Sequence, residues 1–160
     1  MKKMSRKTFL IGGTTAVAAV VTGVCACRKT VWATISGKGT TPLIASEAYE
    51  VLDDQRVRIH LGSVPELVRV GGAVKIIDSR LDDSLIVARI AEDAYVAASI
   101  HCTHRGVEVE YKEEEKCFKC ASIGGSRFAT NGEKTRGFAK GPLRTYALTS
   151  EGDDLVIRLS

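Results

Sequence analysis

The sequence predicts an all-β fold, an antiparallel sandwich or barrel of short strands, and three observations predict it. From Arg56 onward, strand-sized runs of Val, Ile, Leu and Tyr alternate with Gly, Asp, Asn and Pro, the pattern of strands cut by tight turns. No run of 12 residues after position 30 keeps a helical period, and helices are recognised by sustaining one over about that length. Glycine is common at 15 residues and aromatics contribute only 6% of the 160, which suits turns better than long helices.

The chain begins with a signal or anchor segment, residues 1–27. Lys2, Lys3, Arg6 and Lys7 precede an uncharged run from Phe9 to Ala26, which ends at Cys27. That run is short for a membrane span, and its Gly and Thr residues make it only mildly apolar, as in an export signal. "SRKTFL" resembles the twin-arginine translocation motif, with Arg6-Lys7 in place of Arg-Arg. "VCAC" resembles a lipobox, which makes Cys27 a lipidation candidate of a membrane-associated lipoprotein. An uncleaved membrane anchor is the alternative. Either reading exports the remainder to the outer face of the cytoplasmic membrane, in the periplasm or at the cell surface.

Residues 28–54, with "SGKGTTP" and "VLDDQ", show little periodicity and read as tether and lead-in. Residues 55–160 are the β domain. Its strands are "RVRIHL", "GGAVKII", "SLIVARI", "AYVAASI", "GVEVEY", "KCFK", "SRFA", "RTYAL" and "DLVIRL". "VPEL" reads as one helical turn, "KEEEK" as a solvated hairpin, and Asn131-Gly132 as a tight hairpin turn. His60 reads as a half-buried strand residue. The net charge of +4 lies in the leader, because outside residues 1–27 there are 19 basic and 19 acidic residues. A neutral domain gives no electrostatic reason to expect nucleic acid.

Cys25 and Cys27 belong to the leader, leaving Cys102, Cys117 and Cys120. An odd number does not make a simple disulfide framework, and soft thiolates beside His104 suggest a metal. Cys102 and His104, two apart, share one face of an extended segment, so both can point inward together. Cys117 and Cys120 lie an odd number apart on a strand, so they face opposite ways unless it bulges. Cys117 therefore reads first as a buried free thiol and second as a weak ligand candidate.

"CTHRG" followed by "CASIGGSRFATNGEKTRGFAKGPLRTYAL" resembles the Rieske iron–sulfur family, whose pattern is C-T-H-x-G, then C-P-x-H-G-S-x-F, then a glycine-rich stretch and a GP motif. The likeness runs from about Leu85 to Leu159, with Thr103, Gly106, Ser126, Phe128, Gly141, Pro142 and Leu143 in matching places. The resemblance implies a Rieske-like fold with a base (about 56–100 and 137–160) and a small cluster-binding subdomain (about 101–136). It implies a [2Fe–2S] cluster with Cys102 and Cys120 on the inner iron, His104 on the outer iron and Ser126 hydrogen-bonded to cluster sulfur. The implied function is electron transport, as an electron-transfer subunit or carrier of an oxidoreductase more than a stand-alone enzyme. A cytochrome or a quinol- or molybdenum-oxidoreductase complex is the implied redox partner.

The chain departs from that pattern where the second His belongs. Position 123 is Ile, the stretch from Cys120 to Phe128 is one residue longer than the family's, and no His follows His104. The fourth ligand is therefore unassigned. Val107 and Ser122 stand where quinol-oxidising members carry a disulfide, which argues against that role. Two alternatives remain open: a Rieske-like module without metal, serving a binding or scaffold role, and a structural zinc site built from Cys102, His104, Cys117 and Cys120.

Overall fold

The computed structural model describes residues 37–52 and 55–159; the leader with Cys25 and Cys27, and the tether up to residue 36, lie outside the described residues. The strands are β1 (Tyr49–Leu52), β2 (Arg56–His60), β3 (Ala73–Ile76), β4 (Leu85–Ala91), β5 (Ala94–Ser99), β6 (Val109–Lys112), β7 (Cys117–Cys120), β8 (Arg127–Ala129), β9 (Lys134–Arg136), β10 (Thr145–Glu151) and β11 (Asp154–Arg158). They make two antiparallel sheets, one of seven strands in the order β1-β2-β11-β10-β5-β4-β3 and one of four in the order β6-β7-β8-β9. Pro65–Leu67, inside "VPEL", forms a single 3-10 turn. Among the described residues no helix is long and apolar enough to cross a membrane.

The larger sheet forms because its strands alternate. In β2, Val57 and Ile59 are buried while Arg56, Arg58 and His60 are partly open to solvent. His60 is half-buried as expected, its Nδ1 2.9 Å from Asp154 Oδ1 on the neighbouring β11. The inward residues of β2, β3 and β11 join Leu85 and Val87 of β4 in the first core. Strand β4 breaks the alternation: Leu85, Ile86, Val87 and Ala88 are all at 0% exposure. Its other face, with Ala98 of β5, packs against the smaller sheet in a second core containing Val109, Phe118 and Phe128. A strand covered on both sides has no polar face to show, so it reads as a continuous apolar run.

Two strands are additions to those expected. β1 arises within the lead-in and pairs with β2, Tyr49 opposite Ile59 and Leu52 opposite Arg56. β9 consists of three exposed residues without an apolar side chain; the Asn131-Gly132 turn folds it back onto β8. Gly132 has φ +87°, and a Cβ there would lie 2.2 Å from the Leu143 carbonyl oxygen, so the hairpin tip accepts only glycine.

The chain before β1 straps the smaller sheet. Glu108 Oε2 accepts from the Gly39 N–H at 2.8 Å and from Lys75 Nζ at 2.9 Å. Glu110 Oε1 accepts from the backbone N–H and the hydroxyl of Thr40. These contacts fix β6 from outside and so fix the loop that leads into it.

Candidate metal centre

Three loops meet at one end of the smaller sheet: 100–108 between β5 and β6, 121–126 between β7 and β8, and 137–144 between β9 and β10. In the first, the Val109 N–H donates to the Ile100 carbonyl at 2.8 Å, the Cys102 N–H to the Val107 carbonyl and the Gly106 N–H to the Cys102 carbonyl, both at 2.9 Å. These bonds close residues 103–105 into a turn. The expectation that Cys102 and His104 lie on an extended segment is thereby corrected. Instead, the turn folds the His104 N–H back onto the Cys102 sulfur, where it donates a hydrogen bond.

The second loop is fixed by the Cys120 N–H donating to the Ser126 carbonyl at 2.8 Å and the Gly125 N–H to the Ser122 carbonyl at 2.9 Å. A third bond, from the Ala121 N–H to the Glu108 carbonyl at 2.9 Å, ties it to the first loop. Ile123 stands at its apex, 88% exposed. The third loop is joined to both others. The Thr103 hydroxyl donates to the Gly141 carbonyl at 2.8 Å, and the buried Ser126 hydroxyl oxygen accepts from the Ala139 N–H at 3.1 Å.

This scaffold brings Cys102 and Cys120 together. Both are buried, at 2% and 4% exposure, and both belong to the second core. Burial pushes the Cys102 thiol up from its ordinary range, and the neighbouring Cys120 thiol adds to that. The His104 N–H and the Ser126 hydroxyl act the other way, by hydrogen-bonding the ionised form. The Cys120 sulfur also lies 3.2 Å from the Ser122 hydroxyl. His104 is half-buried, and its ring centroid is 6.1 Å from that of Phe138. His101 turns away into solvent, with Nδ1 3.1 Å from the Gly106 carbonyl oxygen.

Cys117 lies at the other end of β7, opposite Lys112 and Ala129, whereas Cys120 lies opposite Val109. Phe118 and Cys120 face the second core, and Cys117 is not part of it. Burial and the Glu115 carboxylate raise the Cys117 thiol. Among the described residues no three His, Cys, Asp or Glu side chains converge as a single metal ion requires. The four side chains considered for zinc are therefore not assembled around one point, and Cys117 is not placed as a fourth ligand.

A binuclear cluster divides its donors between two irons, so the fit is judged iron by iron. The inner iron needs two thiolates, and two adjoining thiols are present. The outer iron needs two imidazoles; His104 is one, and Ile123 projects into solvent at the second place. The residues present do not fit the complete Cys2His2 set. Phe138 is a contact of the site that motif reading missed. The only signal for Phe138 is an aromatic residue inside a glycine-rich stretch.

The chain has a Rieske-type fold. It is similar to the ferredoxin of carbazole 1,9a-dioxygenase from Nocardioides aromaticivorans, with a TM-score of 0.52 at 19% identity over 64% of this chain and 98% of that one. Also similar are the plasma membrane Rieske protein PetC3 from Synechocystis PCC 6803 (TM-score 0.47, 25% identity, 54% of this chain and 85% of that one) and a hyperthermophilic respiratory Complex III (TM-score 0.48, 17% identity, 88% and 98%). No protein-family profile matches the sequence, and no curated protein matches it.

Proposed function

We propose that this protein is a Rieske-type electron-transfer subunit or carrier, exported and held at the outer face of the cytoplasmic membrane. The observation that carries the proposal is the burial of Cys102 and Cys120 in one core cluster, where two loops of a Rieske-type fold are tied together. The structure that establishes the fold is a ferredoxin, and we carry that role over to this chain. Cys102 and Cys120 would hold the inner iron of a [2Fe–2S] cluster and His104 the outer one, with the remaining outer position completed by a group other than imidazole. Such a cluster supplies one-electron chemistry.

What the chain's own residues do is position and shield. The His104 N–H and the Ser126 hydroxyl favour a charged sulfur at Cys102. Phe138 covers one side of His104. The loops at this end carry Arg105, Lys140 and Arg144, and their one carboxylate, Glu108, is paired with Lys75. A redox partner with an acidic face, such as a cytochrome or a quinol- or molybdenum-oxidoreductase complex, suits that charge. Export and membrane attachment rest on the leader sequence.

The metal-free module is favoured by one observation, the exposed Ile123 where a ligand belongs. Iron and acid-labile sulfide analysis of anaerobically purified protein, with an EPR spectrum after reduction, decides between the readings. Electron transfer predicts iron and sulfide with a rhombic signal. Protein that takes up neither under reconstitution contradicts it, and zinc alone supports the structural-metal alternative.

A further inference from the structure

Glu108 stands where the first two site loops meet, and its polar groups bond to three other parts of the chain. Its N–H donates to the Gly37 carbonyl at 3.1 Å, and its carbonyl accepts from the Ala121 N–H, next to Cys120, at 2.9 Å. One carboxylate oxygen, Oε2, accepts from the Gly39 N–H at 2.8 Å and from Lys75 Nζ of β3 at 2.9 Å. The Lys75 and Glu108 side chains are only 14% and 13% exposed, so water does little to replace a lost partner. Residues 37–40 also close over the first loop: Gly37 has φ +67°, and a Cβ there would lie 3.3 Å from the Val107 side chain. Lys75 is held to the continuation of that segment, its N–H donating to the Pro42 carbonyl at 2.8 Å and its carbonyl accepting from the Ile44 N–H at 3.0 Å.

We infer that Glu108 is a positioning residue of this site and that residues 37–40 form a latch that closes on it, so that seating the lead-in and ordering both cysteine loops are one event. The carboxylate satisfies two donors from separate elements at a single oxygen, and its charge makes both bonds strong. With the latch open, the Gly37 acceptor and the Gly39 donor are both lost to Glu108. Its backbone is then free to turn, and with it go the neighbouring bond from the Cys102 N–H to the Val107 carbonyl and the bond from the Ala121 N–H. The second loop is thus governed by a segment that reaches it only through Glu108. What the loops hold rests on the electron-transfer reading; how they are held does not.

The test is backbone 15N relaxation in the full chain, stripped of bound metal by anaerobic chelation, because order parameters report the folded state whatever its global stability. In Glu108→Ala the amides of Cys102, Gly106, Ala121 and Gly125 should fall from about 0.85, the rigid value, to below about 0.6. Gly39→Pro, which removes one donor and touches neither loop, should lower the same four. Glu108→Gln keeps an oxygen for the Gly39 N–H and should fall between parent and Glu108→Ala. Val87 and Ile157, in the first core, should keep parent values in all three. If Glu108→Ala does not fold, Gly39→Pro and Glu108→Gln carry the comparison. Parent-like order at Ala121 and Gly125 in Gly39→Pro would overturn the inference, as would an equal loss at Val87 and Ile157. Chains that follow this pattern yet take up no iron would keep the latch and remove the electron-transfer reading; iron-binding chains with unmoved loops would do the reverse.

Discussion

Phe138 and His104 stack at a tilt of 37° with their ring centroids 6.1 Å apart, although Phe138 itself is 72% exposed. The same ring packs on Gly124, where a Cβ would lie 3.2 Å from it. Phe138 therefore bridges the loop that carries His104 and the loop that carries Ile123. A large exposed aromatic held between two loops acts on its neighbours more than on the core. Phe138→Ala should change stability by no more than about 0.5 kcal/mol. It should also shift the His104 ring resonances in an NMR spectrum, since the ring current beside them is gone. Unchanged His104 resonances would contradict the contact.

Gly137 is the backbone counterpart of that contact. It has φ +90°, and a Cβ would lie 2.6 Å from Ser126 Cα. Gly137→Ala should therefore destabilise the fold by about 1–3 kcal/mol, read as a lower midpoint in urea. A midpoint equal to that of the parent would show that the third loop is not pressed against Ser126.

The pH dependence of stability should carry a mark of Asp78. The Arg80 guanidinium, 2.6 Å and 3.0 Å from its oxygens, and the Arg80 N–H at 2.9 Å hold the Asp78 carboxyl well below the usual carboxylate range, against the effect of burial. The Tyr49 hydroxyl adds a further hydrogen bond at 2.9 Å. A depressed folded-state value means that the stabilisation is present above the unfolded value, about 4, and is lost as pH falls through the range below it. Asp78→Asn should lower the melting temperature at pH 6 and make its decline below pH 4 shallower. Parallel curves for the two proteins would remove Asp78 from the account.

Much of this was legible because strands impose a period of two. The odd spacing of Cys117 and Cys120 predicts opposite faces, and β7 places them so because no bulge interrupts it. The turn at 103–105 was not legible: "CTHRG" has one turn-favouring residue, Gly106, and the reversal depends on backbone bonds involving Val107 and Gly106. β9 could not be read from hydrophobicity, having no apolar residue. The place of Phe138 over His104 comes from a contact between distant loops, which local pattern cannot show. Ile123 was legible as a missing donor, and its exposure follows from sitting at the tip of a loop closed by the Gly125-to-Ser122 bond.

The missing donor leads to a gain-of-ligand prediction. Ile123→His combined with deletion of Gly124 restores both residue type and loop length at the apex. The double variant, reconstituted with iron and sulfide, should show a conventional Rieske EPR spectrum. A variant that folds but stays colourless would mean that more than an imidazole separates this pocket from a complete one.

If Cys102 and Cys120 together grip iron, Cys102→Ser should remove it. Bound iron per chain should be counted in anaerobically reconstituted parent and variant, with circular dichroism confirming that both are folded. The variant should lose most of the iron that the parent holds. Equal iron in both would contradict it.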